Sequence, residues 1–272
     1  MNEQKAVAII DSGVGGLTVA REVMRQLPRE KVLYFGDNAR CPYGSRPAEE
    51  IRTYSMQMIQ HLFQYPVKAL VIACNTAAAV VLDEVKEFTA VPVLGVIEPG
   101  ARAAISASRT GRIGIIGTEM TIRTAAYERA LRRINPNLYV SSLACPRFVP
   151  LVENRLLDSP EACRIVEETL APLHYEELDT LILGCTHYPL LAPLIQKALG
   201  DEITLISSAE ETARELSALF SLGNLHASEQ ADWPQHKFFT SGNEVIFRQI
   251  GEDWLARPLE VEQQDLQRTL QL

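Results

Sequence analysis

A thiol closes an apolar run twice in this sequence, 111 residues apart: Ala69-Leu70-Val71-Ile72-Ala73 leads into Cys74, and Thr180-Leu181-Ile182-Leu183-Gly184 leads into Cys185. Each is followed by a short polar step, Asn75-Thr76 in one case and Thr186-His187 in the other. A helical pattern then resumes, at Ala77 and at Leu190. A strand-to-helix junction carrying the same reactive group twice suggests a chain built from two similar halves. If those halves face each other, the two sulfurs lie on opposite sides of one small molecule, and one chemical event uses both.

The surrounding pattern supports a duplicated α/β fold. Short apolar runs alternate with longer stretches of helical period, as in a mainly parallel sheet wrapped by helices. The first set predicts strands at 6–10, 31–35, 69–73 and 92–97, with helices at 17–26, 49–63 and 77–88. The order then restarts, with strands at 112–116, 139–143, 180–183 and 203–206 and helices at 122–133, 160–173 and 190–199. Strand ends correspond at Ile10 and Ile116, Phe35 and Ser141, Ala73 and Gly184, and roughly Val96 and Ser207. A helix over 209–222, a loop from Gly223 to Gln235, a short strand at Phe238-Phe239-Thr240, a helix over 245–254 and an exposed tail complete the chain. The expected division is a first α/β domain of 1–98 plus 208–272, containing Cys74, and a second of 99–207, containing Cys185.

Composition narrows the partners. The chain has 272 residues, 47% of them hydrophobic, enough for two cores. Its 26 basic and 34 acidic residues leave a formal charge of -8, scattered without a basic block, which argues against a nucleic-acid partner. A small anionic ligand stays open, because helix N-termini supply local positive potential. No apolar stretch of about 18 residues and no signal-peptide core is present, so a soluble, cytoplasmic protein with no membrane partner is expected. Five cysteines without a C-x-x-C pair fit reduced thiols.

Parallel sheets bind ligands at the C-terminal ends of their strands. The first such end is Asp11-Ser12-Gly13-Val14-Gly15-Gly16. A dinucleotide fingerprint would need a third glycine at Thr18, and a phosphate loop would need a lysine, so both fail. A tight turn delivering Asp11 and Ser12 to a ligand, and an ordinary glycine turn with a capping serine, account for it equally well. The second strand end offers Gly36-Asp37 and then Cys41-Pro42-Tyr43-Gly44. Cys41 and Cys145 read as bystanders, and Cys163, inside a helical pattern, as core or inert surface. Cys74 and Cys185 can each be read as small core residues, yet their equivalent junctions favour a site. A helix N-terminus at each is expected to draw the thiol from its usual value of about 8.5 toward neutrality. A zinc reading through Cys185, His187 and Cys74 lacks the tight local spacing such sites show, and no metal is expected.

Taken together, the segment from Ile10 to Val19, Gly36-Asp37 with Pro42-Tyr43-Gly44, Ala73-Cys74-Asn75-Thr76-Ala77, Gly117-Thr118, Pro150-Leu151-Val152-Glu153 and Leu183-Gly184-Cys185-Thr186-His187-Tyr188-Pro189 resemble the glutamate racemases of the aspartate/glutamate racemase superfamily. The likeness runs from about residue 6 to about 220. It implies two pseudo-symmetric α/β domains with the active site between them, and cofactor-independent interconversion of L- and D-glutamate. The D form is a building block of bacterial peptidoglycan, so roles in cell-wall biogenesis and cell shape follow. By this likeness Cys74 and Cys185 are the acid/base pair, Cys74 acting on the D and Cys185 on the L enantiomer. Asp11 and His187 assist the neighbouring thiols, and Asp37 and Glu153 are supporting acids. Asp11, Ser12, Tyr43, Gly44, Asn75, Thr76, Thr186 and His187 form the substrate-binding set. The family also implies a homodimer.

The chemistry follows independently of the family. Inverting a carbon centre needs a base on one face and an acid on the other, one sulfur as thiolate and its opposite as thiol. Asp11 or His187 can bias that split. Without an electron-sink cofactor, aligned N–H donors and water exclusion must stabilise the developing charge. Asn75, Thr76 and Thr186 are placed to hold the substrate carboxylates without an arginine. The alternatives are racemisation of aspartate or a hydantoin, arylmalonate decarboxylation, which typically keeps one of the two cysteines, and a non-enzymatic protein that closes on an amino acid. Paired thiols count against the last two.

Overall fold

The computed structural model describes residues 5–228 and 232–266. Residues 229–231 of the expected loop and 267–272 of the expected tail lie outside them. Strand β1 (Ala6–Asp11), helix α1 (Leu17–Gln26), β2 (Lys31–Gly36), α2 (Ala48–Leu62), β3 (Val67–Ile72), α3 (Asn75–Phe88), β4 (Val93–Gly95) and α4 (Ile97–Ala107) build the first half. Then follow β5 (Arg112–Gly117), α5 (Glu119–Arg123), α6 (Ala126–Ile134), β6 (Tyr139–Ala144), α7 (Phe148–Glu153), α8 (Pro160–Leu170), β7 (Thr180–Gly184), α9 (Ala192–Leu199) and β8 (Thr204–Ser207). The chain closes with α10 (Ser208–Gly223), β9 (Lys237–Thr240), α11 (Glu244–Leu255) and β10 (Val261–Gln263).

These strands form two parallel sheets, ordered β10-β9-β2-β1-β3-β4 and β6-β5-β7-β8. The inner order β2-β1-β3-β4 is repeated by β6-β5-β7-β8, so the two halves share one topology as well as one sequence rhythm. Register sharpens the correspondence. Ile10 pairs with Phe35 and Ile72, and Ile116 pairs with Leu143 and Leu183. Cys74 and Cys185 therefore occupy equivalent positions, two residues past the matched Ile72 and Leu183. The mate of Phe35 is Leu143 rather than the expected Ser141, because part of the extra length of the second half enters before β6.

Several expectations change. The single helix expected over 122–133 is two, α5 and α6, because the Thr118 side chain caps Thr121 N–H and starts α5 early, while Ala125 in a left-handed conformation (φ 50°) breaks the chain before α6. Helix α4 was not expected. Its Glu98-Pro99-Gly100 start reads as a turn, yet proline is tolerated in a first helical turn, where its missing N–H has no partner to lose. Helix α7 occupies another stretch without an expected element. The exposed tail is corrected as well, since β10 extends the first sheet beside β9 and Leu259, Val261 and Leu266 are buried.

Every residue of β1 is buried, as the central strand of a sheet covered on both faces should be. Helices α1 and α10 pack together, α10 packs on α4, and α4 in turn meets α6 and β7. Ile113, Ile115 and Ile182 of the second sheet consequently join the same apolar cluster as Ile9, Val71 and Phe35 of the first. A smaller cluster under α7, α8 and α9 holds the rest of the second half together. The α4 layer joins the two sheets, and their polar strand ends converge on one cavity.

Candidate active site

The cavity is lined by Ser12 after β1, by Pro42, Tyr43 and Gly44 after β2, by Cys74, Asn75 and Thr76 after β3, by Thr118 after β5, by Val149 of α7, and by Cys185, Thr186 and His187 after β7. Both cysteines are almost fully buried. The structure thus brings together Ser12, Tyr43, Gly44, Cys74, Asn75, Thr76, Cys185, Thr186 and His187, all sequence candidates.

Asp11, Asp37 and Glu153 do not line the cavity but hold residues that do. Asp11 accepts from Thr186 Oγ1 at 3.2 Å and from Gly13 N–H at 3.0 Å. Asp37 accepts from the Tyr43 hydroxyl, from Arg40 Nε at 2.7 Å and from Ser241 Oγ at 2.6 Å, which ties the cavity to the end of β9. Glu153 Oε1 lies 2.6 Å from His187 Nε2.

The two sulfurs have different neighbours. Cys74 caps α3: its Sγ accepts from Ala77 N–H at 3.4 Å and lies 3.6 Å from Ser12 Oγ. Burial, reinforced by the nearby Asp11 charge, nonetheless pushes this thiol up to about 12, outweighing the Ala77 and Ser12 hydrogen bonds. The expectation of a thiol drawn toward neutrality by its helix is thereby corrected for Cys74. For Cys185 the geometric premise itself changes, because no α-helix starts there. The chain makes a short 3-10 turn at Tyr188–Leu191, and α9 begins only at Ala192. In place of a helix end, Cys185 Sγ has His187 Nδ1 at 3.7 Å.

His187 is fully buried, which by itself favours the neutral ring. Hydrogen bonds to Cys185 and Glu153, together with electrostatic attraction to the same two groups, outweigh burial and hold the ring's proton affinity well above the ordinary histidine value. Asp11 shows the opposite balance. Burial pushes its carboxyl up to about 6, although the His187 charge, the Gly13 and Gly16 N–H groups and the Thr186 hydroxyl all pull it down. This packing depends on glycine at 15, where a Cβ would stand 2.4 Å from Thr186 Oγ1 and 2.6 Å from His187 Nδ1.

Donors for an anion are present without an arginine. Asn75 Nδ2 is buried and has no hydrogen-bond partner among the described residues, whereas Asn75 Oδ1 accepts from the Tyr127 hydroxyl at 2.6 Å. That one contact fixes which end of the amide is left for a ligand. Thr76 Oγ1 lies 2.9 Å from Thr118 Oγ1 and 3.3 Å from Thr121 Oγ1, a hydroxyl cluster bridging the two halves. Val149 and Tyr127 were not candidates from the sequence, and Thr118 entered there only within the Gly117-Thr118 motif, without a place in the site. For Thr118 a signal existed: pairing Ile10 with Ile116 makes it the counterpart of Ser12. Tyr127 sits on a helical pattern and Val149 in a stretch with no expected element, and neither offered one.

The sequence and the fold are shared with known proteins. The family model for Asp/Glu/Hydantoin racemase matches residues 10–216. The chain is 49% identical over 262 residues to a glutamate racemase of Bacillus cereus, covering 96% of each, and 51% identical over 256 residues to one of Exiguobacterium sibiricum, covering 94% of each. The crystal structure of a Bacillus anthracis glutamate racemase superposes with a TM-score of 0.94 at 49% identity, covering 97% of this chain and 99% of that one. The Francisella tularensis glutamate racemase, solved in complex with D-glutamate, gives 0.90 at 32% identity, covering 97% and 99%. An aspartate racemase of Picrophilus torridus, at 18% identity and a TM-score of 0.56 over 81% and 94% of the two chains, shares the fold alone. The chain belongs to the Asp/Glu/Hydantoin racemase family and, within it, to the glutamate racemases, isomerases that act on an amino acid.

Proposed function

We propose that this protein interconverts L- and D-glutamate by two-base proton transfer between Cys74 and Cys185, with no organic cofactor. The observation that carries this reading is the unequal pair of sulfurs on one buried cavity: Cys74 holds its proton tightly, and Cys185 has a charged imidazole beside it. In the direction from L, the Cys185 thiolate takes the α-proton on one face and the Cys74 thiol delivers its proton to the other. D-glutamate then leaves with Cys185 as thiol and Cys74 as thiolate. The new charge on Cys74 is met by Ala77 N–H and Ser12 Oγ. The reverse direction exchanges the roles.

An α-proton next to a carboxylate is very weakly acidic, so the carbanion-like transition state needs fixed positive partners in a dry site. Asn75 Nδ2, the Thr76 and Thr186 hydroxyls and the His187 imidazolium supply them. Asp11 steadies Thr186, Asp37 steadies Tyr43 beside Gly44, and Glu153 keeps the proton on His187. No helix among the described residues is long and apolar enough to cross a membrane. We place the enzyme in the cytoplasm, as a homodimer that supplies D-glutamate for peptidoglycan. Its division into 1–98 plus 208–272 and 99–207 assigns one sulfur to each domain.

The test is substitution of each sulfur in turn. Cys74→Ser and Cys185→Ser should each abolish racemisation of either enantiomer, followed by chiral chromatography. Near-normal turnover in either variant would sink the two-base mechanism.

A further inference from the structure

Among the described residues, one cluster of metal-ligating side chains stands out, and it is not the Cys74, Cys185 and His187 set weighed from the sequence. Cys41 Sγ, a Glu153 carboxylate oxygen and a His187 ring nitrogen all lie within 4.8 Å of one another. Glu153 Oε1 is 3.8 Å from Cys41 Sγ and 2.6 Å from His187 Nε2. Around tetrahedral zinc, with bonds of about 2.0–2.3 Å, ligand atoms stand roughly 3.3–3.7 Å apart, so small side-chain adjustments close the set around one ion. Gly13 leaves the room. A Cβ there would come within 3.1 Å of Cys41 Sγ and 3.3 Å of Glu153 Oε1. Cys41 is half-buried and the Glu153 side chain is 26% exposed, which gives an ion a way in from solvent, while His187 forms the buried floor.

We propose that Cys41, Glu153 and His187 form an inhibitory binding site for a thiophilic divalent cation such as Zn2+, sharing His187 with the catalytic cavity. The inference rests on the catalytic reading of that cavity for its inhibitory part only. The mixed sulfur, nitrogen and oxygen donors suit zinc or cobalt and are too soft for magnesium or calcium. On binding, the Cys41 thiol proton and the proton on His187 Nε2 go to solvent, and the metal takes the thiolate, the ring nitrogen and a carboxylate oxygen. The ring keeps its Nδ1 proton toward Cys185, and the two charges of the ion replace the two protons released, so the net charge of the cluster is unchanged. The ion fixes His187, which lines the substrate cavity, and so withdraws the ring from its work there; turnover falls although the metal touches neither acid/base sulfur.

The experiment compares the parent enzyme with Cys41→Ala, and with Cys41→Ser should the alanine variant fold poorly, in metal-free buffer. Co2+ added to the parent should bind at one equivalent and produce thiolate-to-cobalt charge-transfer absorption, absent in the variant. Zn2+ should inhibit the parent reversibly, with EDTA restoring the rate. In the variant the inhibitory concentration should rise on the order of tenfold or more while basal turnover stays within about twofold, since losing even an outer partner of a metal site costs about 10–100-fold in affinity. The proposal is overturned if the parent shows no cobalt band, or if the variant keeps both the band and the Zn2+ sensitivity, which would put the ion on Cys74 or Cys185. The cobalt spectrum needs no turnover, so it separates failure of the metal site from failure of the racemase reading.

Discussion

Replacing Tyr127 with phenylalanine removes one oxygen from a buried ring and tests how the second half of the chain prepares a donor on the first. The hydroxyl donates to Asn75 Oδ1 at 2.6 Å, and Ser208 hydrogen-bonds the same oxygen. The ring also packs over Gly184, the residue before Cys185, so the phenylalanine ring keeps the packing. What is lost is the partner of a buried amide oxygen, worth about 1–3 kcal/mol when left unsatisfied. With Oδ1 unanchored, the amide is free to turn, and Nδ2 no longer faces the substrate in every molecule. A hydrogen bond to a charged group contributes about 1.5–3 kcal/mol, and forfeiting roughly half of the upper value lowers kcat/KM about tenfold.

Initial rates for Tyr127→Phe, measured by chiral chromatography from both enantiomers, should show that fall. A double-mutant cycle with Asn75→Ala decides the mechanism. If Tyr127 acts only through Asn75, the phenylalanine substitution adds less than about 0.5 kcal/mol, roughly twofold, in the alanine background. The reasoning is refuted if Tyr127→Phe alone stays within twofold of the parent, or if it costs the same tenfold with Asn75 already gone.

Two other perturbations follow from the charges in the site. The rise of Asp11 from 3.8 to about 6 corresponds to a net cost of roughly 3 kcal/mol for carrying the carboxylate in the folded chain, burial outweighing the pull of His187, the Gly13 and Gly16 N–H groups and Thr186. Between those pH values the folded chain holds a proton that the unfolded chain has released, so stability falls as pH climbs through that window and stays at the lower level above it. Asp11→Asn should therefore melt higher than the parent at pH 7, by roughly 1–3 kcal/mol after the weaker contact with Thr186 is allowed for, and lose that advantage below about pH 4. Its racemase activity should collapse, and a variant less stable than the parent at pH 7 would contradict the assignment. Glu153→Gln takes from His187 one of the two partners that hold its proton. The alkaline limb of the kcat/KM profile should move to lower pH, and an unmoved limb would show that Glu153 does not govern the charge on that ring.

The parts of the molecule legible in its sequence are those set by short-range pattern. Helix α1 spans the expected residues because Leu17, Ala20 and Val23 keep one buried face, and Gly16 marks its start. Cys74 and Cys185 were found because a duplicated fold places equivalent residues at equivalent strand ends, and a thiol is rare enough to be noticed twice. What escaped depends on contacts between distant segments. Tyr127 reads as one more apolar position of a helix until Asn75, 52 residues earlier, is seen under its hydroxyl. The state of Cys74 was misjudged because a helix N-terminus is visible in sequence whereas complete burial beside Asp11 is not. The tail was misjudged because a three-residue edge strand carries too little alternation to be recognised before its neighbour β9 is known.

The inequality of the two sulfurs is bounded by the symmetry of the reaction. L- and D-glutamate have the same free energy in water, so the equilibrium constant is unity and kcat/KM must be equal in the two directions for the enzyme and for every variant of it. His187 beside Cys185 and the tightly held proton on Cys74 consequently cannot favour one product; they decide which form the free enzyme rests in. Any difference in KM between the enantiomers must be matched by the same difference in kcat. This gives each substitution a stringent check. Glu153→Gln acts beside Cys185, yet its loss of kcat/KM from L-glutamate should equal its loss from D-glutamate, because the equilibrium constant is unity whatever path the proton takes. Unequal losses in initial-rate assays would mean that another reaction is coupled to the interconversion, since no uncoupled catalyst can break the equality.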